Sequence, residues 1–524
     1  MSENIWNLVK KNLLELPEQT AWICRQSKQA DRVLSYNDIY KASLNMAAEL
    51  RERGVEPGSR VGLMAPNGPE WTVVAFAVWK IGAILVPIHS GNSDDEIRIQ
   101  VEATAPLLIM CHHRSVTELD VPIELHYTGP LNEREAEQIP PRGGDDEAVL
   151  IYTSGSTGNP KVVRLSHRNF VTNVVGASKF ASFSHDDKIL SLLPFSHAMG
   201  LTGNLLLGFY VGCTLVAPKV LAANEIMAAM EENQISVLIA VPRLFRNIML
   251  GLEKKLAAAS PLLRAYVGLI RISPLFLRSR LNAPIRKKFG GNLNCWVSGG
   301  SRLDPDIKRY FLGIGISLRQ GYGLTETSPA VAIQTHFDPV MDSVGKAVEG
   351  CEVKIHNPDE NGSGEVWIKG SNVMLGYTNA EYTNESMEDG WFKSGDIGTI
   401  DKDGNITLTG RNKRLIVTES GKNVYPEDLE IGLERDPVIK EAAVLELDMR
   451  PVAVISMDME AYPDEEKRVA EVRRSLKEFN ARVSAHNRIS RFALIEELPR
   501  TPLGKIALHK LPVFFRDHEV VRKS

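Results

Sequence analysis

The chain has 524 residues, enough for two or more domains with a large buried core. Its apolar fraction of 43% and charged fraction of 24% are those of an ordinary soluble globular protein. The formal net charge of −4 predicts no bulk attraction to nucleic acid, so partners have to be inferred from individual sites.

Strands and helices alternate in the first 150 residues. A helix is predicted to begin after Ser35, its N-cap, and to end at Gly54. A strand is predicted at Arg60–Met64, then a second helix around residues 71–82 and another strand at Ile84–Pro87. This βαβ order predicts a largely parallel sheet covered by helices.

Five cysteines are scattered along the chain without a Cys-x-x-Cys pair: Cys24, Cys111, Cys213, Cys295 and Cys351. Only Cys111 has histidines beside it, and adjacent residues rarely converge on one metal, so this trio predicts a strand end or a loop. The scattered thiols predict a reduced, cytoplasmic protein. The first residues lack a basic stretch leading into an apolar core, so no secretory signal is expected.

Residues 152–161, Tyr-Thr-Ser-Gly-Ser-Thr-Gly-Asn-Pro-Lys, concentrate hydroxyls, glycines and one lysine. Glycines allow a turn whose N–H groups approach an anion, while the hydroxyls and Lys161 supply donors and positive charge. A predicted strand precedes this segment, and a helix is predicted to begin soon after it, near Ser166. The pattern predicts a triphosphate-binding loop. This loop is not a Walker A loop, which needs Gly-Lys followed directly by Ser or Thr, because here Pro160 precedes the lysine. A solvated Ser/Gly linker is the alternative.

Residues 189–218 contain no Asp, Glu, Lys or Arg, a run long enough to cross a bilayer. Pro194, His197, Gly200 and Asn204 interrupt its apolar pattern. A buried helix followed by a strand at residues 213–216 is therefore expected instead of a transmembrane span.

Residues 251–290 carry nine Lys or Arg against one Glu, a local net charge of +8, with apolar residues interleaved. Such a segment is typical of a surface helix with a solvated basic face. It is also suited to peripheral contact with an anionic membrane surface. Both interpretations stay open at this point.

Short strands separated by turns predict a small β-subdomain between residues 344 and 410. Residues 410–414 are polar and charged, and we place a domain boundary there. The predicted fold is α/β, with residues 1–410 as a large N-terminal domain of βα sheets plus the β-subdomain. Residues 411–524 are predicted to form a smaller α+β C-terminal domain.

Five blocks in this order resemble the adenylate-forming superfamily, which comprises acyl-CoA synthetases, peptide-synthetase adenylation domains and luciferases. They are residues 152–161, Gln-Gly-Tyr-Gly-Leu-Thr-Glu-Thr at 320–327, Ser-Gly-Asp at 394–396, Gly-Arg-Asn-Lys at 410–413 and Pro-Arg-Thr-Pro-Leu-Gly-Lys at 499–505. Val162 and Arg414 depart from the family pattern, which usually has glycine and commonly aspartate there. Residues 420–426 resemble the equivalent region of medium- to long-chain fatty acyl-CoA synthetases.

The resemblance implies an ATP-dependent ligase that converts a carboxylic acid, with a fatty acid as the expected substrate, into acyl-AMP and then into a coenzyme A thioester. It implies Mg²⁺ as the accompanying cation, with Glu326 as its ligand. The implied nucleotide-binding residues are Thr153, Ser154, Gly155, Ser156, Thr157, Gly158 and Lys161 at the phosphates, Gly299, Gly300, Ser301, Gly321, Tyr322, Gly323 and Thr325 around the adenine pocket, and Asp396 and Arg411 at the ribose.

The resemblance also implies three catalytic residues, His197, Glu326 and Lys505. His197 matches the place of a side chain beside the substrate carboxylate, and a satisfied core histidine is the alternative. Lys505 would bring positive charge to the carboxylate and the α-phosphate. Lys413 matches the hinge about which a mobile C-terminal domain rotates. The uncharged run around His197 favours a fatty or aryl acid.

Two further functions stay open. An acyl carrier protein presents the same thiol arm as coenzyme A and is the alternative acceptor. A nucleotide-binding protein without turnover is the second alternative, suggested by Val162 and Arg414 and opposed by the presence of Lys505, Glu326 and Asp396.

Overall fold

A computed structural model describes residues 4–27, 29–112, 115–125, 142–153, 161–418, 422–500 and 506–520. Within these residues the fold is α/β, with four β-sheets and helices between the strands. A large N-terminal part precedes a smaller C-terminal part with its own apolar core, as the sequence predicts.

The largest sheet has fourteen strands and extends through the N-terminal part. They are β1 (Thr20–Cys24), β2 (Arg32–Ser35), β9 (Lys188–Leu190), β10 (Thr214–Ala217), β11 (Val237–Ala240), β12 (Cys295–Ser298), β13 (Leu318–Gly323), β14 (Ala330–Ile333), β15 (Ser343–Ala347), β16 (Cys351–His356), β17 (Gly364–Gly370), β19 (Met387–Glu388), β20 (Trp391–Ile400) and β21 (Ile406–Arg411). Strands β9 to β13 pair in parallel, whereas β13 to β21 pair antiparallel. The predicted β-subdomain is thus the antiparallel end of a continuous sheet.

A second sheet has seven strands in the order β18-β8-β7-β4-β3-β5-β6. They are β3 (Arg60–Met64), β4 (Ile84–Pro87), β5 (Leu108–Cys111), β6 (Asp120–Pro122), β7 (Glu147–Thr153), β8 (Lys161–Ser166) and β18 (Gly376–Tyr377). Strands β3 to β6 are parallel, which confirms the predicted βαβ order. Strand β8 was not predicted, and it pairs antiparallel with β7. The predicted triphosphate loop therefore connects the two strands of a hairpin.

Helices connect these strands. The α-helices are Ile5–Glu15, Tyr36–Glu52, Pro69–Lys80, Asp94–Thr104, His167–Ser178, Ala198–Gly200, Leu207–Val211, Ala223–Asn233, Pro242–Ala257, Pro261–Ile272, Leu275–Leu281, Ala283–Lys287, Pro305–Gly313, Ala380–Ser386, Pro426–Glu434, Glu465–Arg482 and Leu511–His518. Single turns of 3₁₀-helix lie at Thr325–Thr327, Asn412–Arg414, Ala485–Asn487 and Leu508–Lys510.

Two helices begin where the sequence predicts, after Ser35 and near Ser166. The Ser35 hydroxyl accepts a hydrogen bond from the Asp38 N–H, and the Asp38 carboxylate accepts one from the Ser35 N–H. Ser166 and Asn169 form the same reciprocal pair at the start of the helix predicted near Ser166. These pairs satisfy N–H groups that have no partner within the helix, and therefore fix where each helix begins.

The uncharged run 189–218 is buried inside the N-terminal part. A helix begins at Ala198, passes through a π-helical stretch at Leu201–Leu206 and continues to Val211 before β10. This arrangement confirms the predicted buried helix followed by a strand. In the described residues, no helix has the length and apolarity that crossing a membrane requires.

The C-terminal part contains a two-stranded sheet and a three-stranded sheet. The strands are β22 (Ile416–Val417), β23 (Asn423–Val424), β24 (Glu441–Leu447), β25 (Arg450–Ser456) and β26 (Phe492–Ile495). Polar contacts join this part to the N-terminal part. Arg246 donates to the backbone carbonyls of Glu434, Ile439 and Lys440, and Arg302 pairs with Asp428. The boundary after residue 410 stays a prediction.

Candidate active site

Two neighbouring parallel strands end at the same edge of the large sheet. Strands β12 and β13 pair with Ser298 opposite Gln320, so the segment 299–301 lies beside the segment 321–323. A Cβ on Gly299 would lie 2.8 Å from the Met199 sulfur. The absence of that Cβ allows the helix that follows His197 to approach this edge. The structure thus brings the predicted adenine-pocket segments and the His197 segment together.

Strand β13 ends where the backbone of another segment approaches it closely. A Cβ on Gly323 would lie 1.6 Å from the Pro329 carbonyl oxygen, so this position accepts only glycine without a backbone shift. The 3₁₀ turn Thr325–Thr327 follows, and the Thr327 hydroxyl accepts a hydrogen bond from the Leu324 N–H at 3.0 Å. Glu326 is therefore held on a short, hydrogen-bonded turn next to Tyr322.

Tyr322, Asp396 and Arg411 form one polar group. The Tyr322 hydroxyl donates to Asp396 Oδ2 at 2.6 Å, and Arg411 Nε lies 3.0 Å from Asp396 Oδ1. Asp396 and Arg411 are opposite each other on β20 and β21, so sheet register sets this pair. Burial and the adjacent carboxylate raise the pKa of Tyr322 well above its ordinary value, which keeps the phenol protonated as the donor.

A second polar group surrounds Glu326 and Lys161. The Tyr377 hydroxyl donates to Glu326 Oε1 at 2.7 Å. Lys161 Nζ lies 4.7 Å from the Tyr377 ring centroid and 4.4 Å from that of Tyr382. Burial and the Glu326 charge raise the pKa of Tyr377, so its hydroxyl also stays a donor. The carboxylate and the ammonium group predicted at the phosphates are thereby linked through one tyrosine.

The hairpin β7–β8 positions the two ends of the predicted phosphate loop. Thr153 is paired with Lys161, and its hydroxyl donates to the Lys161 carbonyl at 3.3 Å. Val162, which replaces the family's usual glycine, is buried in an apolar cluster with Ile84 and Leu150. The predicted loop residues Ser154, Gly155, Ser156, Thr157 and Gly158 and the predicted catalytic Lys505 lie outside the described residues.

His197 is half-buried at the start of its helix. Its ring centroid lies 6.0 Å from that of His89, which follows strand β4. Burial lowers the pKa of His89, so its imidazole tends toward the neutral form. Two imidazoles, one from the segment after β4 and one from the N-cap of the helix that contains Met199, therefore lie close together at an angle of 50°.

Arg414, the other departure from the family pattern, stabilises the C-terminal part. Its guanidinium lies 3.0 Å from Glu427 Oε1 and 2.5 Å from Glu430 Oε1, and donates to the Val444 carbonyl at 3.1 Å. Only 17% of its side chain is exposed. At the position where the family commonly has aspartate, this chain therefore has a cation that pairs with acidic residues on the helix Pro426–Glu434.

The sequence interpretation missed Tyr377, Tyr382 and His89. None of them belongs to the five blocks, and each reaches the site from a distant element. The run Gly-Tyr-Thr-Asn at 376–379 contained a signal, because an aromatic residue after glycine in a short strand is suited to a close contact. That signal did not indicate which residues Tyr377 contacts.

The chemistry of the donor set fits Mg²⁺ that arrives with a nucleotide. Among the described residues, no group of three or more His, Cys, Asp or Glu side chains is able to hold a metal ion. Mg²⁺ in nucleotide sites is held by one or two carboxylates together with phosphate oxygens and water. Glu326 offers one such carboxylate, so it matches a metal shared with substrate and not a resident metal centre.

Comparison with known proteins gives matches over most of the chain. The family described as AMP-binding enzyme matches residues 9–378, and the AMP-binding enzyme C-terminal domain matches residues 413–512. Long-chain-fatty-acid–CoA ligase FadD15 of Mycobacterium bovis is 29% identical over an alignment covering 88% of this chain and 85% of the relative. Feruloyl-CoA synthase of an Amycolatopsis species is 28% identical, with 79% of this chain and 80% of the relative covered.

Solved structures share the fold. ATP-bound MatB from Rhodopseudomonas palustris aligns with a TM-score of 0.78 and 22% identity, covering 99% of each chain. The o-succinylbenzoate CoA synthetase MenE of Bacillus subtilis, in complex with its acyl-adenylate, aligns with a TM-score of 0.75 and 21% identity over 96% of this chain and 97% of that one. Together with the matched motifs and their common site, these findings establish that the chain belongs to the AMP-binding enzyme family.

Proposed function

We propose that this chain is an ATP-dependent acid–thiol ligase that uses coenzyme A. In the first step a carboxylate oxygen bonds to the α-phosphorus of ATP, the bond to the β-phosphate breaks and pyrophosphate leaves. In the second step the coenzyme A sulfur bonds to the acyl carbon, AMP leaves and the thiol proton passes to solvent. The family membership and the named ligases among its relatives support this activity.

The observation that carries the proposal is the order of the two polar groups along β13 and its turn. Tyr322 with Asp396 marks one end, and Glu326 with Tyr377 and Lys161 marks the other. Three residues lie between Tyr322 and Glu326, so the group suited to a ribose and the group suited to phosphates and Mg²⁺ follow each other closely along the chain. A nucleotide with its ribose at Asp396 and its phosphates toward Lys161 matches that order of groups.

The remaining roles belong to this proposal. The Tyr322 ring and the backbone of Gly299, Gly300 and Ser301 bind adenine, Arg411 assists Asp396 at the ribose, and the loop Ser154–Gly158 holds phosphate oxygens. Glu326 would hold Mg²⁺, which would supply positive charge to the phosphate oxygens. Lys505 brings a cation to the α-phosphate and the carboxylate in the first step. The backbone of β13 and its turn is shaped by Gly321, Gly323 and Thr325.

The proposed acid is apolar, with a fatty acid as the first candidate. The helix after His197 is built from leucines and other uncharged residues, and the His197 ring lies close to that of His89 at the start of this helix. An uncharged helix beside the site favours an alkyl or aryl group, and an imidazole at the start of that helix is suited to positioning a carboxylate. The relatives include a long-chain-fatty-acid–CoA ligase and a feruloyl-CoA synthase, so both acid classes require testing.

The experiment is pyrophosphate release across acids of increasing chain length, with coenzyme A, with an acyl carrier protein, and with neither thiol. We expect release that depends on both acid and ATP, and thioester formation with coenzyme A. Thioester formation on the carrier protein, with none on coenzyme A, would make the carrier protein the acceptor in place of coenzyme A. Retained ATP binding without pyrophosphate release from any acid would favour a nucleotide-binding protein that does not turn over. A cytoplasmic location, consistent with five free cysteines, is part of the same proposal.

A further inference from the structure

The helix Pro261–Ile272 lies at the surface with apolar side chains on two faces. Val267 and Ile270 are buried and attach it to the fold. A second stripe, Leu262, Leu269 and Ile272, faces solvent instead. The spacing of seven and three residues places these side chains on one side of the helix. A helix that is apolar on both sides is normally buried, so the exposed stripe requires an explanation.

The exposure of this stripe is unusual within the described chain. Leu262 is 84% exposed and Ile272 is 80% exposed, the two highest values among the large apolar side chains that the structure leaves at the surface. Leu263 and Leu269 on the same helix are about half exposed. Isolated apolar residues at a surface are common, but a contiguous group typically marks a contact with a protein or a membrane.

Several basic residues are close to the exposed stripe in sequence, although the Arg271 guanidinium stacks on the Tyr310 ring. Arg264 and Arg271 lie on the same helix, and Lys254 and Lys255 are exposed in the last turn of the preceding helix. Residues 251–290 together carry +8, while the whole chain carries −4. The basic segment 251–290 therefore contains the two most exposed large apolar side chains among the described residues.

We propose that the exposed stripe Leu262, Leu269 and Ile272, together with the nearby basic residues Lys254, Lys255 and Arg264, binds the surface of an anionic lipid bilayer. The helix lies in the plane of the membrane, with its leucines in the interfacial layer and its basic residues beside lipid phosphates. Charge complementarity favours this occupant over a second copy of the chain, because two such faces would bring like charges together. This proposal goes beyond the ligase activity and does not depend on it.

The test is flotation of the full chain with vesicles of phosphatidylcholine alone and of phosphatidylcholine mixed with phosphatidylglycerol. We expect binding to the anionic vesicles that falls as salt rises, since exposed charges are screened within about 10 Å at 0.1 M salt. The apolar variant is Leu262→Ser with Ile272→Ser. Its matched control is Val220→Ser with Leu221→Ser, which changes exposed apolar residues elsewhere.

The basic variant is Lys254→Gln with Lys255→Gln and Arg264→Gln. Its matched control is Lys402→Gln with Lys467→Gln and Lys477→Gln, which removes the same charge from exposed positions outside the segment. Each basic residue near an anionic surface changes partition about fivefold, so the basic variant should lose at least about tenfold. The apolar variant should lose about tenfold or more, and both controls should bind like the wild type.

Three results would overturn the proposal. The first is no binding to anionic vesicles at low salt. The second is binding that both variants retain. The third is a change from an oligomer to a monomer in the apolar variant, measured by light scattering without vesicles, which would assign the stripe to a contact between copies. All variants lie outside the candidate active site, so ATP binding serves as the check that each one is folded.

Discussion

At the scale of single residues, the site depends on tyrosine hydroxyls that orient carboxylates. Tyr322 donates to Asp396, and Tyr377 donates to Glu326. Both phenols have a raised pKa because each is buried beside a negative charge, so each remains a donor. Hydrogen bonds to a charged acceptor are stronger than neutral ones and restrict its orientation. Each carboxylate is therefore oriented before a nucleotide binds.

The first prediction concerns Tyr377→Phe. This change removes the donor to Glu326 and keeps the ring beside Lys161, so it isolates the hydroxyl. A hydrogen bond to a charged group contributes about 1.5–3 kcal/mol, so we expect acid-dependent pyrophosphate release to fall about 10- to 100-fold. The measurement is initial rate against Mg²⁺ concentration. Tyr382→Phe, which also keeps its ring near Lys161, is the control and should remain close to the wild type.

The second prediction concerns Asp396→Ala, which removes the acceptor shared by Tyr322 and Arg411. The loss of a charged hydrogen-bonding partner for the ribose is expected to cost about 1.5–3 kcal/mol of ATP binding. Isothermal titration should show weaker ATP affinity with an unchanged circular dichroism spectrum. Asp403→Ala, at an exposed position on the turn between β20 and β21, controls for the loss of one negative charge. Equal ATP affinity in Asp396→Ala and the wild type would remove Asp396 from the ribose site.

At the scale of elements, strand β13 connects the two halves of the site. Its parallel pairing with β12 places the segments after both strands at one sheet edge. Its antiparallel pairing with β14 then turns the chain sharply around Gly323. The 3₁₀ turn that follows places Glu326 next to Tyr377, which belongs to the other sheet. The turn therefore bridges two sheets at the site.

The third prediction tests that turn with Gly323→Ala. The new Cβ would lie 1.6 Å from the Pro329 carbonyl oxygen, so the backbone has to move and Glu326 moves with it. A displacement of about 1 Å in a catalytic group costs about a hundredfold in rate, and we expect at least that loss of pyrophosphate release. Gly251→Ala, with no atom within 4 Å of its new Cβ, is the matched control and should be fully active. Normal activity in Gly323→Ala would show that the turn tolerates the shift.

At the scale of the whole molecule, the contact between the two parts of the chain contains an unusual carboxyl group. Glu434 Oε1 accepts a hydrogen bond from the Ala442 N–H at 3.1 Å, and Oε2 lies 3.9 Å from Arg246. Burial raises the pKa of Glu434 to about 7, and the nearby arginine only partly opposes this effect. The negative charge of Glu434 is therefore unfavourable in the folded molecule.

The fourth prediction follows from the sign of that shift. The folded state binds the Glu434 proton more tightly than the unfolded state, so its contribution to stability is complete below pH 4.5 and is lost as pH rises through about 7. Glu434→Gln removes the ionisation and keeps an oxygen acceptor. We expect this variant to be more stable than the wild type at pH 8 by about 1–3 kcal/mol and to lose that advantage near pH 5.

Thermal and urea unfolding at the two pH values measure this difference. Glu460→Gln, at an exposed position, removes the same charge and serves as the control. The same advantage for Glu434→Gln at pH 5 and pH 8 would contradict the assigned pKa shift. A gain in Glu460→Gln equal to that in Glu434→Gln would attribute the effect to net charge.

The fifth prediction concerns rotation of the C-terminal part about Lys413, a proposal that rests on the motif at residues 410–413. Lys413 lies within the 3₁₀ turn Asn412–Arg414. Lys413→Pro fixes φ near roughly −65° and removes an N–H, which restricts the torsion that a rotation would use. We expect near-normal first-turnover pyrophosphate release, slow thioester formation and accumulation of acyl-AMP on the enzyme.

Single-turnover quench experiments separate these two half-reactions. Lys413→Ala keeps the backbone N–H and φ freedom, and should form thioester at the wild-type rate. Normal rates of both half-reactions in Lys413→Pro would place the hinge elsewhere or show that the C-terminal part does not rotate. Equal losses in both half-reactions would indicate damage to the fold.

The sequence by itself determined the features that depend on neighbours along the chain. Reciprocal capping by Ser35 and Ser166, the parallel βαβ order from β3 to β4 and the buried uncharged helix are set by local spacing and local hydrogen bonds. The ordered motifs also determined the family, because each combines backbone requirements with a small number of chemical groups. Such patterns are visible before any packing is known.

Only the tertiary structure decided which distant residues meet. Tyr377 lies 51 residues after Glu326 in sequence, yet its hydroxyl contacts that carboxylate because β18 adds to the sheet that carries Lys161. Arg414 contacts Glu427 and Glu430 because the next helix folds back onto it. Leu262 and Ile272 stay exposed because Val267 and Ile270 occupy the buried side of their helix. Apolar periodicity shows that a helix has a face, but the partner of that face is set by packing across the whole chain.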